Sequence, residues 1–146
     1  MIEINNLATH PVDKNFLKKV LRKVLKGERK NLDLSIALVS PERIRKLNKK
    51  YRGENQATDV LAFGGNEILY NKYQIPKSLK NWSELVICPK EVKKNAKIFG
   101  QTFKRELANC LIHGILHLLG YNHEKHVKKA REIEKKQNYY LKIIKV

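Results

Sequence analysis

The chain has 146 residues, enough for one domain with a real hydrophobic core, and no internal repeat or low-complexity tract suggests a second, so residues 1–146 are read as a single domain. Its 31 lysines and arginines against 14 acidic residues leave a formal charge of +17, which attracts polyanions, repels cations and makes RNA the expected partner. No apolar run approaches the length of a membrane span and the N-terminus lacks the basic-then-apolar layout of a signal peptide, so no membrane partner and a cytoplasmic location are expected.

In chain order, residues 2–5 alternate briefly and predict a first strand. Asp13 then caps a helix that carries Phe16, Leu17, Val20, Leu21, Val24 and Leu25 on one face and lysines on the other, ended by Gly27. Leu32, Leu34, Ile36 and Leu38 alternate with Asp33, Ser35 and Ala37, the pattern of a half-buried strand. Ser40 and Pro41 suit the cap and first residue of a short helix to about Lys50, with Ile44 and Leu47 facing inward.

Residues 60–63 and 85–88 predict two more strands that pair as a hairpin across a loop rich in Asn, Lys and Tyr. Pro89 opens a helix that Gly100 closes, Thr102 caps a long buried helix, and a last amphipathic helix presents Val127, Ala130, Ile133 and Tyr140 or Leu141. Strands and helices without strict alternation make an α+β domain: a mixed sheet of about four strands covered by helices, one of them a buried metal-binding helix.

Basic residues are spread over several of these segments, among them Lys18, Lys19, Arg22, Lys23 and Lys26 in the first helix. Solvated, ion-paired faces account for part of this, since Lys128, Glu132 and Lys136 follow one another at four-residue spacing. Ion-paired faces need no excess of this size, which again favours RNA contact. Cys88 and Cys110 lack a paired spacing and read as two buried thiols.

The segment from 113 to 123 runs His-Gly-Ile-Leu-His-Leu-Leu-Gly-Tyr-Asn-His. On a helix, His113 and His117 lie on one face, roughly 6 Å of rise apart, and both rings can reach one cation. Gly120 stands where a sharp turn would bring His123 in as a third ligand. Three imidazoles leave a fourth position for water, the arrangement of a catalytic rather than a structural zinc, although nickel, cobalt or copper also accept such a set. Ordinary core histidines are the competing reading, but this helix is apolar nearly all round, and an unpaired buried ring costs about 1–3 kcal/mol. The same spacing occurs in metzincin peptidases, which place a glutamate base directly after the first histidine; Gly114 stands there instead, so a metalloprotease-like hydrolase is the weaker alternative.

At these residues the chain resembles the bacterial YbeY family, metal-dependent endoribonucleases of ribosomal RNA maturation. Residues 113–123 are similar to that family's His-Gly-x-Leu-His-Leu-x-Gly-Tyr-Asp-His, and Asn48, Tyr51 and Arg52 followed by Thr58, Asp59, Val60 and Leu61 to its Asn-x-x-Tyr-Arg and Thr-Asp-Val-Leu-Ser-Phe. A weaker third block at 84–88 stands where the family has Gly-Asp-Ile-x-Ile. Asn122 replaces an aspartate, Ala62 a serine, and Ser83 with Glu84 a Gly-Asp pair; an amide at 122 takes up no proton at neutral pH.

The resemblance implies a zinc-dependent endoribonuclease that cuts single-stranded RNA and helps mature ribosomal RNA, in the company of the ribosomal subunit or its proteins. It implies His113, His117 and His123 as metal ligands and Arg52 as the catalytic clamp on the phosphorane, where a guanidinium binds two oxygens at once. A tris-histidine zinc lowers its water's pKa towards about 7, or acts as a Lewis acid while a ribose 2′-hydroxyl attacks; the sequence leaves both open. An RNA-binding ribosome-assembly factor with a structural metal is the rival from another class. Asp59 reads first as a turn cap beside Thr58, His126 as an exposed helix-start residue, and Tyr121 as packing against the metal helix.

Overall fold

Alternation, capping and helical spacing produce nine elements in the computed structural model, which describes residues 1–64, 82–121 and 127–146, with side chains for all of these except 82 and 127–130. The expectations for Val127 and Ala130 therefore lie outside the described side chains, and most of the loop expected between the third and fourth strands lies outside the described residues. The fold is α+β: a four-stranded mixed sheet and five helices, as the sequence predicts. The described residues divide into a sheet unit, Met1–Val12 with Leu32–Glu91, and a helical unit, Asp13–Asn31 with Val92–Val146.

In the sheet unit the strands are β1 (Ile2–Asn6), β2 (Asp33–Leu38), β3 (Val60–Phe63) and β4 (Trp82–Ile87), in the order β1-β2-β4-β3. β1 and β4 flank β2 in parallel, while β3 pairs with β4 antiparallel, so the hairpin expectation holds. β4 is central. Its Leu85, Val86 and Ile87, and Cys88 just after it, are all buried without alternation, Val86 and Cys88 in one cluster with Ile44.

Helix α2 (Pro41–Arg52) begins at Ser40, whose hydroxyl accepts from the Arg43 N–H, and it runs two residues past the expected end, to Gly53. Its Ile44 joins Val39, Leu61, Phe63, Val86 and Cys88 in one buried cluster against which Leu47 and Tyr51 pack.

The helical unit holds α1 (Lys14–Gly27), most of α3 (Pro89–Ile98), α4 (Phe103–Leu118) and α5 (Val127–Ile144). Asp13 caps α1 by accepting from the Phe16 N–H, and all six apolar residues expected on its inner face are buried. Helix α1 packs on α4 and α5, and α4 on α5. At the α1–α5 contact the backbone of Gly27 lies so close to Tyr140 that a Cβ there would come within 2.7 Å of the tyrosine Cε1. Only a glycine leaves room for that ring. Among the described residues no helix is long and apolar enough to cross a membrane.

Candidate metal centre

Thr102 starts α4 by accepting from the Arg105 N–H, and Leu107, Ala108, Cys110, Leu111, Ile112, Ile115 and Leu116 are buried along it. This burial is why the helix is apolar nearly all round, and it leaves two half-buried imidazoles, His113 and His117, one turn apart near its C-terminal end. Their Nε2 atoms lie 2.9 Å apart, with ring centroids 4.5 Å apart and planes inclined at 61°.

Both rings thus aim the same nitrogen at one point. Two imidazolium ions would repel there, whereas a neutral pair can share a proton or hold one cation. A separation of 2.9 Å lets both nitrogens lie within a zinc–nitrogen bond length, about 2.0–2.1 Å, of a common point. The two residues fit a metal ion, and the place of His117 in the last turn of the helix, at the negative end of its dipole, favours positive charge.

The helix ends as the glycine predicts. Gly120 takes φ +102°, its N–H donates to the His117 carbonyl at 3.0 Å, and the Tyr121 N–H donates to the Leu116 carbonyl at 3.0 Å. These two bonds form a Schellman turn, which reverses the chain directly after the second histidine. Asn122, His123 and His126 lie outside the described residues.

Tyr121 is held at its far end as well. Its hydroxyl donates to Glu28 Oε1 at 2.9 Å, and Lys136 Nζ lies 5.1 Å from its ring centroid. Glu28, directly after α1, also accepts from Lys136 at 3.0 Å and from the Tyr140 hydroxyl, and its side chain is only 7% exposed. Burial alone would raise the Glu28 carboxyl, but the hydrogen bonds from Tyr140, Lys136 and Tyr121 outweigh it and hold the group below its ordinary value. Burial, then the bond to Glu28, pushes the Tyr140 hydroxyl far up. The sequence predicts that Tyr121 packs against the metal helix; the cluster at its hydroxyl joins residues far apart in the chain and has no local signal.

Arg52 ends α2 in the sheet unit. Its guanidinium donates to the Ala62 carbonyl at 2.7 Å and to the Tyr51 carbonyl at 3.3 Å, and lies 5.0 Å from the centroid of the Phe63 ring. Tyr51 meets the same ring edge-on at 5.5 Å. Asn48, in the same motif, is buried and donates to the Gln56 carbonyl at 2.9 Å, tying down the segment after α2. Asp59 accepts from the Val60 N–H and the Thr58 hydroxyl, the turn-capping arrangement expected of it. Glu84, on β4 opposite Phe63, has its carboxyl raised by burial.

A sequence model described as Endoribonuclease YbeY matches residues 3–145. The chain is similar to the Endoribonuclease YbeY of Thermotoga neapolitana, 39% identical over 125 residues that cover 86% of this chain and 76% of that one. It is similar also to the Endoribonuclease YbeY of Bdellovibrio bacteriovorus, 39% identical over 112 residues, or 77% and 67% of the two chains. The solution structure of a Thermotoga maritima protein matches with a TM-score of 0.64 and 31% identity, over 99% of this chain and 89% of that one.

Proposed function

The chain belongs to the YbeY family of endoribonucleases, and from that premise we propose that it is a cytoplasmic, zinc-dependent endoribonuclease that cuts single-stranded RNA in ribosomal RNA maturation. His113, His117 and His123 hold the ion. The observation that carries this reading is the convergence of the His113 and His117 Nε2 atoms to 2.9 Å at the end of a buried helix. When bound, a divalent ion supplies Lewis acidity toward a phosphate oxygen and lowers the pKa of a coordinated water.

The protein's own groups do the rest. Arg52 presents a planar fork of donors to two phosphate oxygens, where negative charge builds as the phosphorane forms. Its bonds to Ala62 and Tyr51 and its contact with Phe63 fix the guanidinium plane in advance, so little side-chain freedom is lost on binding. The charge of +17 draws in the RNA, ribosomal RNA within or beside the ribosomal subunit being the substrate implied by the family. Gly114, buried in α4, offers no carboxylate base, which disfavours peptide hydrolysis.

The test uses the full chain with labelled single-stranded RNA. Cleavage is expected and should disappear after exhaustive chelation and in His117→Ala, which should also retain no metal by elemental analysis. Cutting that survives chelation would overturn the metal mechanism, while salt-sensitive binding without any cutting would favour an assembly factor with a structural metal. A 2′,3′-cyclic phosphate on the product identifies the ribose hydroxyl as nucleophile; a 5′-phosphate with a free 3′-hydroxyl identifies water.

A further inference from the structure

We propose that Glu28 is a positioning residue of the metal centre, acting through Tyr121 on the turn that follows His117; this rests on the reading of the histidines as ligands. The connection is short. Gly120 donates its N–H to the carbonyl of His117, Tyr121 donates its own to Leu116, and the Tyr121 side chain then reaches Glu28 at 2.9 Å. The turn is therefore tied at its backbone to the ligand helix and at its tip to the end of α1.

A tyrosine that served packing alone would need only its ring. Here the hydroxyl is spent on a carboxylate that is 7% exposed, and the ammonium of Lys136 bonds that carboxylate while lying 5.1 Å from the centroid of the tyrosine ring. A bond between a hydroxyl and a charged, buried acceptor is directional and among the stronger kinds, so it fixes where the tyrosine points as well as how deep it sits. A histidine pair near a helix end needs such fixing. The turn is bonded to the carbonyl of His117 itself, so what holds the turn holds the end of the helix that carries this ligand, and ligand geometry decides affinity.

The second tyrosine on Glu28 separates positioning from simple support. Tyr140 bonds the same carboxylate from α5 by its own hydroxyl, so its loss weakens the cluster while the Tyr121–Glu28 bond remains. The experiment loads the full-length protein with Co2+ and reads the visible absorption of the ion, its affinity by chelator competition, and the melting temperature of the metal-free protein. Tyr121→Phe should lower Co2+ affinity about tenfold and alter the absorption band, the size found when groups behind metal ligands are removed. Glu28→Gln should do the same to a smaller degree. Tyr140→Phe should lower the melting temperature yet keep affinity and spectrum near those of the unaltered protein.

Unaltered affinity and spectrum in Tyr121→Phe and Glu28→Gln would overturn the positioning role, as would an equal loss of affinity in Tyr140→Phe. Should Tyr121→Phe fail to fold, Glu28→Gln decides alone. Failure of the unaltered protein to bind Co2+ would overturn the ligand reading and this inference with it, and so is distinguishable from failure of the inference alone.

Discussion

The two units hold their candidate functional side chains by opposite means. In the helical unit His113 and His117 sit half-buried, one turn apart on a mostly buried helix, and the turn beyond them is tied to Glu28 by the Tyr121 hydroxyl. In the sheet unit Arg52 is exposed, and what fixes it is a carbonyl of β3 and the face of Phe63. Two half-buried rings that aim the same nitrogen at one point can share one cation, whereas an exposed group can be held in place and still reach a large, solvated substrate. The histidines accordingly suit an ion and the arginine suits RNA.

If this division is right, the largest separation between the units appears in activity. Arg52→Ala should lower turnover on the order of a hundredfold while metal content, by elemental analysis, stays at the wild-type level. Joint loss of metal and activity would erase the contrast. Next in size is the helical unit's packing: Gly27→Ala pushes a methyl into Tyr140 and should cost about 1–3 kcal/mol in denaturant unfolding, and an unchanged midpoint would show that the close approach is relieved at no cost.

The smallest effect, a shift in melting temperature within about 5 °C, is in pH dependence, and its sign differs between the units. Glu28 has a lowered carboxyl, so the stability it contributes is present above its ordinary value of 4.5 and is lost as pH falls through the folded value. Glu84 is raised, so its contribution is favourable at low pH and is lost as pH rises from 4.5 through the folded value. At neutral pH Glu84→Gln should therefore raise the melting temperature and Glu28→Gln should lower it. Shifts of the same sign would count against the assigned environments.

Much of this was legible because it is local. Asp13, Ser40 and Thr102 announce helix starts through side-chain oxygens that accept from N–H groups three residues on, and Gly120 announces the turn after His117. The histidine pair follows from helical spacing alone. What the sequence conceals is long-range. β4 begins at Trp82 rather than Leu85 because its first residues are recruited by the register with β2, Asp33 opposite Trp82, and not by apolar alternation. The strand order places β4 between β2 and β3, a fact no local pattern carries. Glu28 reads as a helix-end acid until residues 121, 136 and 140 meet it. The carbonyl that anchors Arg52 belongs to a strand ten residues away, reached only after the chain has turned back.

That last contact has a consequence for how the protein stays apart from its neighbours. β3 lies at the margin of the sheet, and since the Asp59 carbonyl accepts from the Cys88 N–H across β4, alternation turns the backbone groups of Ala62 outward. An outward row of such groups is a template for adding a foreign strand, and nature commonly blunts it with a charged side chain. Arg52 does so by placing its guanidinium on the Ala62 carbonyl. The residue proposed to clamp phosphate thus also occupies an acceptor with which a foreign strand would pair.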